Sequence, residues 1–314
     1  MRAFGYTAEE PRTPSISTRN PNPRLAYTLG LVTVFFWSTV ATAFKISLQH
    51  MTPLQLLFYA CLTSAVTLSM VVTWQGRWHD IVEGARRHWR LSMVGGLLNP
   101  FVYYLVLFEA YDRLPAQVAQ PVNYTWAIVL AVMSMVILRQ PVRWHDLIAG
   151  LICYAGVFVI ATHGDLTGFG NVDLVGLGLA LGSTVIWASY WILVMKDVRD
   201  AIVATTLNFL VALVPVTLLL IVTSTPVAPW QGVVGAVYVG LFEMSVAFLC
   251  WSIALRHADN AARIGNLIFI APFLSLVFIY LILGEAIYPA TWAGLVLIVA
   301  GLLFQQWRAR GSTN

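Results

Sequence analysis

Apolar and polar positions alternate along this chain on the scale of whole segments. From Leu25 onward, apolar runs occur at about 25–44, 53–73, 91–111, 116–138, 147–162, 174–195, 201–223, 232–255, 264–283 and 290–307, separated by short polar connections. Each is near the roughly 20 residues that a helix needs to cross a hydrocarbon core. In lipid every backbone N–H and C=O must be satisfied within the segment, and a helix does this. The pattern predicts an all-α membrane protein with ten transmembrane helices. Residues 1–24 are polar and proline-containing, cannot bury a core, and read as a disordered tail without a secretory signal pattern.

Composition agrees with the pattern. Of 314 residues, 59% are apolar and 10% charged, and mean hydropathy is +0.77. A soluble domain is about 25% charged, so soluble enzymes and nucleic-acid-binding proteins are excluded. The lipid bilayer is the expected environment, and nucleic acid is not an expected partner.

The placement of charge then sets topology. Sixteen of the eighteen Lys and Arg residues fall on alternate connections: Arg2, Arg12, Arg19 and Arg24; Arg77, Arg86, Arg87 and Arg90; Arg139 and Arg143; Lys196 and Arg199; Arg256 and Arg263; Arg308 and Arg310. Only Lys45 and Arg113 fall on the other side. This bias puts both termini in the cytoplasm, requires an even number of spans, and fits a cell inner (plasma) membrane protein. The basic excess, net charge +4, is a topology signal rather than a nucleic-acid footprint.

The two halves of the chain resemble each other. An offset of 145 positions aligns Arg139-Gln140 with Gly284-Glu285, Ala155-Gly156 with Ala300-Gly301, and Ala127 with Pro272. Trp37 is followed by Lys45 after eight residues, and Trp187 by Lys196 after nine. Five spans per half is an odd number, so the second half enters from the opposite face. This predicts two inverted five-helix repeats, at 25–162 and 174–307, with a substrate site near the midplane between them.

At these residues the chain resembles the EamA-type members of the drug/metabolite transporter superfamily. The resemblance rests on Trp37-Ser38, Trp187-Ala188, Pro272 with Glu285, and Gly294 with Gly301, and covers about residues 25–307. The first half departs from it at Gln140 and Ala127. Asn123-Tyr124-Thr125-Trp126 is similar to a stretch of YddG-type aromatic amino acid exporters. The resemblance implies a secondary transporter that exports small organic metabolites, with aromatic and other hydrophobic amino acids as the first guess. Two other readings stay open: a different solute, such as a nucleotide sugar or drug-like cation, or a membrane enzyme or scaffold without flux.

Ionisable groups in mid-membrane are functional candidates by default. Glu243 sits at the centre of the eighth run and Glu109 near the end of the third. Glu243 is the stronger candidate, for substrate ammonium, a coupling proton, or each in turn; the plainer reading is a hydrogen bond between helices. The 145 offset sets Asn99 beside Glu243, and Asn266 opposite Pro121. Tyr103 lies four residues past Asn99, on the same helix face. Asn123 and Tyr124 follow Gln120 in the fourth run. With Trp37 and Trp187, these side chains are expected to converge on one aromatic-lined substrate site. For the aromatics ordinary packing is the alternative, and for the amides interhelical hydrogen bonding. Gly150 with Gly156, and Gly294 with Gly301, read as close-packing scaffold.

Cys61, Cys153 and Cys250 lie in apolar runs without metal-site or disulfide spacing. All six histidines are in connections or at run ends. No Walker A motif and no catalytic His pairing at membrane depth is visible. The chain is therefore read as a non-enzyme that needs neither metal nor cofactor.

Overall fold

The computed structural model describes residues 22–137, 144–165, 173–223, 225–258 and 261–311. Most of the polar tail, and Arg139, Gln140 and Arg143, lie outside these residues. Among the described residues every regular element is helical: α1 (Pro23–Leu48), α2 (Pro53–Trp74), α3 (Trp78–Arg87), α4 (Trp89–Arg113), α5 (Ala116–Tyr124), α6 (Trp126–Ile137), α7 (Trp144–Ala161), α8 (Leu174–Lys196), α9 (Ala201–Val222), α10 (Trp230–Leu255), α11 (Arg263–Leu283) and α12 (Pro289–Gly311). Seven of them, α1, α2, α4, α8, α9, α10 and α11, are long and apolar enough to cross a membrane. Leu147–Ala161 and Pro289–Gln305 are shorter apolar stretches.

Local chemistry sets the helix starts. Asn22 Oδ1 accepts from the Leu25 N–H at 3.1 Å, with Pro23 in the first turn of α1. Thr52 and Gln55 form a reciprocal capping box on α2, and Gln55 Nε2 also donates to the Pro226 carbonyl at 2.7 Å. Asp173 caps α8 through the Gly176 N–H, and Asp200 caps α9 through the Ile202 N–H.

The structure differs from the hydrophobic pattern in three places. Residues 78–87, a connection by that pattern, form α3, which buries Ile81 and Gly84 against Val203 and Leu207 while Trp78 and Val82 face outward. An amphipathic helix this short carries too few apolar residues to register as a span. The fourth run is two helices, α5 and α6, interrupted at Thr125. The third is broken at Asn99, whose backbone (φ −144°, ψ 119°) is non-helical ahead of Pro100.

Distortions recur at positions about 145 residues apart. Leu97–Val102 in α4 and Val239–Ala247 in α10 are π-helical. Such turns free carbonyls, which at membrane depth need other donors. In α10, Ser245 Oγ donates to the Gly240 carbonyl at 2.8 Å, Ser64 Oγ to that of Met244 at 3.3 Å, and Thr33 Oγ1 to that of Ala247 at 3.3 Å.

Small residues set the closest crossings. A Cβ added at Gly95 of α4 would meet Asn208 Oδ1 of α9 at 2.7 Å, and one at Gly240 of α10 would meet Thr63 Cβ of α2 at 2.7 Å. Gly240 and Asn208 lie 145 positions beyond Gly95 and Thr63. Helices α7 and α12 pack along their length, with Cβ positions at Gly156 and Gly294 each 2.5 Å from the other's carbonyl oxygen. Cys153 Sγ donates to the carbonyl of Ile298, its partner at the same offset of 145. Gly301 adjoins Cys153, whereas Gly150 has ordinary room beside Ile128 and is not a close-approach site. Gly294→Leu is expected to cost about 1–3 kcal/mol through overpacking. The measurement is the thermal midpoint of purified protein in detergent, and an unchanged midpoint contradicts the packing account.

A buried ion pair ties α4, α8 and α9 together at one end. Arg199 Nη2 lies 2.6 Å from Asp197 Oδ2, with side chains 4% and 9% exposed, and Arg199 also donates to Ser92 Oγ. Burial alone opposes charge on Asp197, yet the hydrogen bonds from Arg199 outweigh it and hold the carboxyl below its usual range. A lowered folded-state pKa stabilises the fold above the unfolded aspartate pKa, and that stability is lost as pH falls through the lowered value. Arg199→Ala leaves the carboxylate uncompensated, at a cost of about 3–5 kcal/mol. The wild-type midpoint should fall on acidification below the ordinary aspartate range, and the variant should start lower and lose that part of the pH dependence.

Candidate functional site

A cavity of about 540 Å³ lies among α1, α4, α5, α6, α8, α10 and α11. That volume suits a solute of drug-like size. Seven of the eight residues singled out from the sequence line it: Trp37, Tyr103, Asn123, Tyr124, Trp187, Glu243 and Asn266. Asn99 does not. It is buried beside Tyr190, as is Asn208, where the chain leaves helical geometry. The 145 offset sets it beside Glu243 in sequence, but the break in α4 decides which way the side chain faces. Glu109 pairs instead with Arg113 at 2.9 Å on a half-exposed surface, away from the cavity.

Glu243 is held by the π-helical stretch of α10. Tyr104 OH donates to its Oε1 at 2.7 Å, and Oε2 is buried without a partner among the described residues. Sequence reasoning does not reach Tyr104. It lies 139 residues away in the chain, and no local spacing points to the pair. Tyr103 stacks on Trp187 (ring centroids 4.4 Å, planes 26° apart), and its hydroxyl donates to Asn123 Oδ1 at 3.4 Å. Asn123 Nδ2 donates to Ser183 Oγ at 2.9 Å, so α4, α5 and α8 share one polar chain.

The remaining wall is aromatic. Trp187 contacts Trp126 and Trp191 edge-on at 6.5 and 5.9 Å, and Trp126 and Trp191 stack at 6.3 Å. Across the cavity Trp37 meets Trp251 at 5.4 Å and Phe248 at 5.9 Å. The five tryptophans lying inside apolar runs (Trp37, Trp126, Trp187, Trp191 and Trp251) therefore all face one space. Aromatic faces attract cations through the ring quadrupole, and rings by offset or edge-on contact.

One end of the cavity is shut. Phe44 packs on Phe108 and Tyr111 (4.8 and 5.2 Å), and the Tyr111 hydroxyl donates to Gln120 Oε1. Beyond this plug Lys45 Nζ donates to the Tyr111 and Leu114 carbonyls at 2.8 and 3.1 Å, at the C-terminus of α4. Glu285 accepts from the Ala116 and Gln117 N–H groups at 3.2 and 3.4 Å, at the N-terminus of α5. A cation at a helix C-terminus and an anion at an N-terminus each oppose the local helix charge. Gln117 adds three bonds: Nε2 to the Ala286 carbonyl (2.9 Å), and Oε1 from the Tyr288 N–H (3.1 Å) and Thr291 hydroxyl (3.0 Å). Gly284 ends α11 at φ +68°, a left-handed conformation open to glycine, and this turns Glu285 back toward α5. At the other end the wall reaches Leu130, Leu255, Gly265 and Asn266.

Among the described residues no cluster of three or more His, Cys, Asp or Glu side chains is placed to hold a metal ion.

Comparison with known proteins agrees with this architecture. The chain is 24% identical over 284 residues to an uncharacterised transporter of Clostridium kluyveri, covering 88% of this chain and 91% of that protein. It is 25% identical over 290 residues to the uncharacterised transporter YvbV of Bacillus subtilis, covering 90% and 91%. It is 26% identical over 231 residues to protein PecM of Dickeya dadantii, covering 69% and 73%. A solved structure, 21% identical, matches the fold with a TM-score of 0.66 over 93% of this chain and all of that one. Residues 24–162 and 174–305 both match the EamA-like transporter family. The chain is thus a multi-pass membrane protein and a transporter rather than an enzyme, and it belongs to the EamA-like transporter family.

Proposed function

We propose that this chain is an inner-membrane secondary transporter that exports small ammonium-bearing organic solutes by alternating access, aromatic and other hydrophobic amino acids being the first class to test. One observation carries the reading: a buried carboxylate with one unpartnered oxygen, Glu243 Oε2, faces a cavity walled by tryptophans. A buried charge without a counter-charge is costly. Glu243 therefore holds either a proton or the solute's ammonium group, and exchanging one for the other couples flux to the proton gradient. The Asn123-Tyr124-Thr125-Trp126 stretch lines the cavity with Asn123, Tyr124 and Trp126, which supports an aromatic solute.

Ten crossings in two inverted five-helix repeats are the topology this reading uses, α5 and α6 together making one. The matched crossings of Gly95 with Asn208 and Gly240 with Thr63, and the reciprocal contact of Gly156 with Gly294, support it. So does the charge bias, which sets both termini and the α10–α11 connection on the cytoplasmic side. The end shut by Lys45, Gln117 and Glu285 then faces outward, and the cavity belongs to an inward-facing state. A nucleotide sugar fits less well: its phosphates call for cationic partners, and no Lys, Arg or His is among the described cavity residues.

The test is counterflow of labelled amino acids in liposomes containing the purified protein, with and without a pH gradient. Saturable counterflow of tryptophan or phenylalanine, altered by the gradient, is expected. Absence of counterflow for amino acids, amines and nucleotide sugars alike removes the carrier reading.

A further inference from the structure

We propose that the preferred solute carries a net positive charge: a lipophilic or aromatic amine without a carboxylate. The inference rests on the transport reading above and narrows its solute class. Among the described residues the cavity wall has one acidic side chain, Glu243, and no Lys, Arg or His. A zwitterionic amino acid would bring a carboxylate into the same low-dielectric space as the Glu243 carboxylate. Buried anions are compensated best by cationic donors, and none is among the described cavity residues.

The donors that are present are neutral, and several are already engaged. Tyr104 OH serves Glu243, Tyr103 OH serves Asn123, Asn123 Nδ2 serves Ser183, and Tyr111 OH serves Gln120. Two buried polar atoms of the wall have no partner among the described residues: Glu243 Oε2 and Trp191 Nε1. A cationic N–H bound beside Glu243 would give its second oxygen a partner. The aromatic faces around them add attraction for a cation and none for an anion. Ammonium against carboxylate and ring against indole matches the charge and the aromatic faces of the wall; an α-carboxylate would meet neutral donors only.

Four indoles of similar size separate the charge types: tryptamine and tryptophan methyl ester (cations), tryptophan (zwitterion) and indole-3-propionate (anion). Each is used at pH 6, where both amines are protonated, to compete with labelled tryptamine for the protein in liposomes, with protein-free liposomes subtracted. Both cations are expected to compete at least about tenfold better than tryptophan, the factor that corresponds to about 1.4 kcal/mol. Indole-3-propionate should not compete, and Glu243→Gln should erase the advantage of the cations. Tryptophan equal to or better than both cations overturns the proposal while leaving the carrier reading intact if tryptophan shows counterflow. An unchanged ranking in Glu243→Gln, in protein that elutes as wild type on size exclusion, also overturns it. No saturable signal from any of the four also overturns it, and the carrier reading then rests on the counterflow test above.

Discussion

Glu243→Gln is expected to lower solute flux by roughly a hundredfold, because removing one partner of a buried, hydrogen-bonded charge pair costs about 2–5 kcal/mol. The substitution keeps the shape and a hydrogen-bond acceptor for Tyr104 OH, now 2.7 Å from Oε1, so the fold should survive. It removes the charge of a cavity-lining carboxylate whose second oxygen is buried without a partner among the described residues. Tyr104→Phe removes one hydrogen bond and leaves the charge, so its effect should be smaller, a loss of about 0.5–1.5 kcal/mol. Initial rates in proteoliposomes at matched protein content give the ordering. A Glu243→Gln variant that keeps most wild-type flux at every pH contradicts the role of Glu243. Equal losses in both variants with a lowered melting midpoint would mean that the pair acts in packing.

Glu285→Gln is expected to open the shut end of the cavity. Glu285 joins α11 to the N-terminus of α5 by two hydrogen bonds and opposes the positive end of that helix. The neutral amide keeps one acceptor and loses the charge. A loss of about 1.4 kcal/mol moves a two-state equilibrium tenfold. Leu107→Cys places a thiol in the cavity wall beneath the aromatic plug. An impermeant thiol reagent added from the outside should label Leu107→Cys about tenfold faster when Glu285→Gln is also present. Gln117→Ala, which removes three further bonds across the same seam, should act in the same direction. Unchanged labelling in both double variants contradicts the idea that these contacts hold the outer end closed.

Much of the site is legible in the amino-acid sequence itself. Glu243 stands out because a carboxylate at the centre of an apolar run has a short list of explanations. Trp37 and Trp187 stand out because they occupy matching places in the two halves. Asn99 shows the limit of that reasoning. The offset sets it beside Glu243 in sequence, but the backbone break at Asn99 turns the side chain toward Tyr190. Tyr104, Phe248 and Tyr111 give no signal, since an aromatic residue in an apolar run has the same pattern whether it packs or lines a cavity. Helix α3 escapes the pattern because ten residues with a polar face look like a connection when apolar runs are the ruler.

Taken alone, the sequence determined the helical class, the membrane environment, the direction of charge bias and the short list of buried polar groups. Those follow from backbone hydrogen bonding in lipid and from the cost of placing charge there, which act on segments and single residues. Only the tertiary structure decided which oxygen of Glu243 is free, which rings form one wall and which end is shut. The partners involved, Tyr104 with Glu243, Trp37 with Trp251 and Glu285 with α5, lie more than a hundred residues apart in the chain and meet only through helix packing.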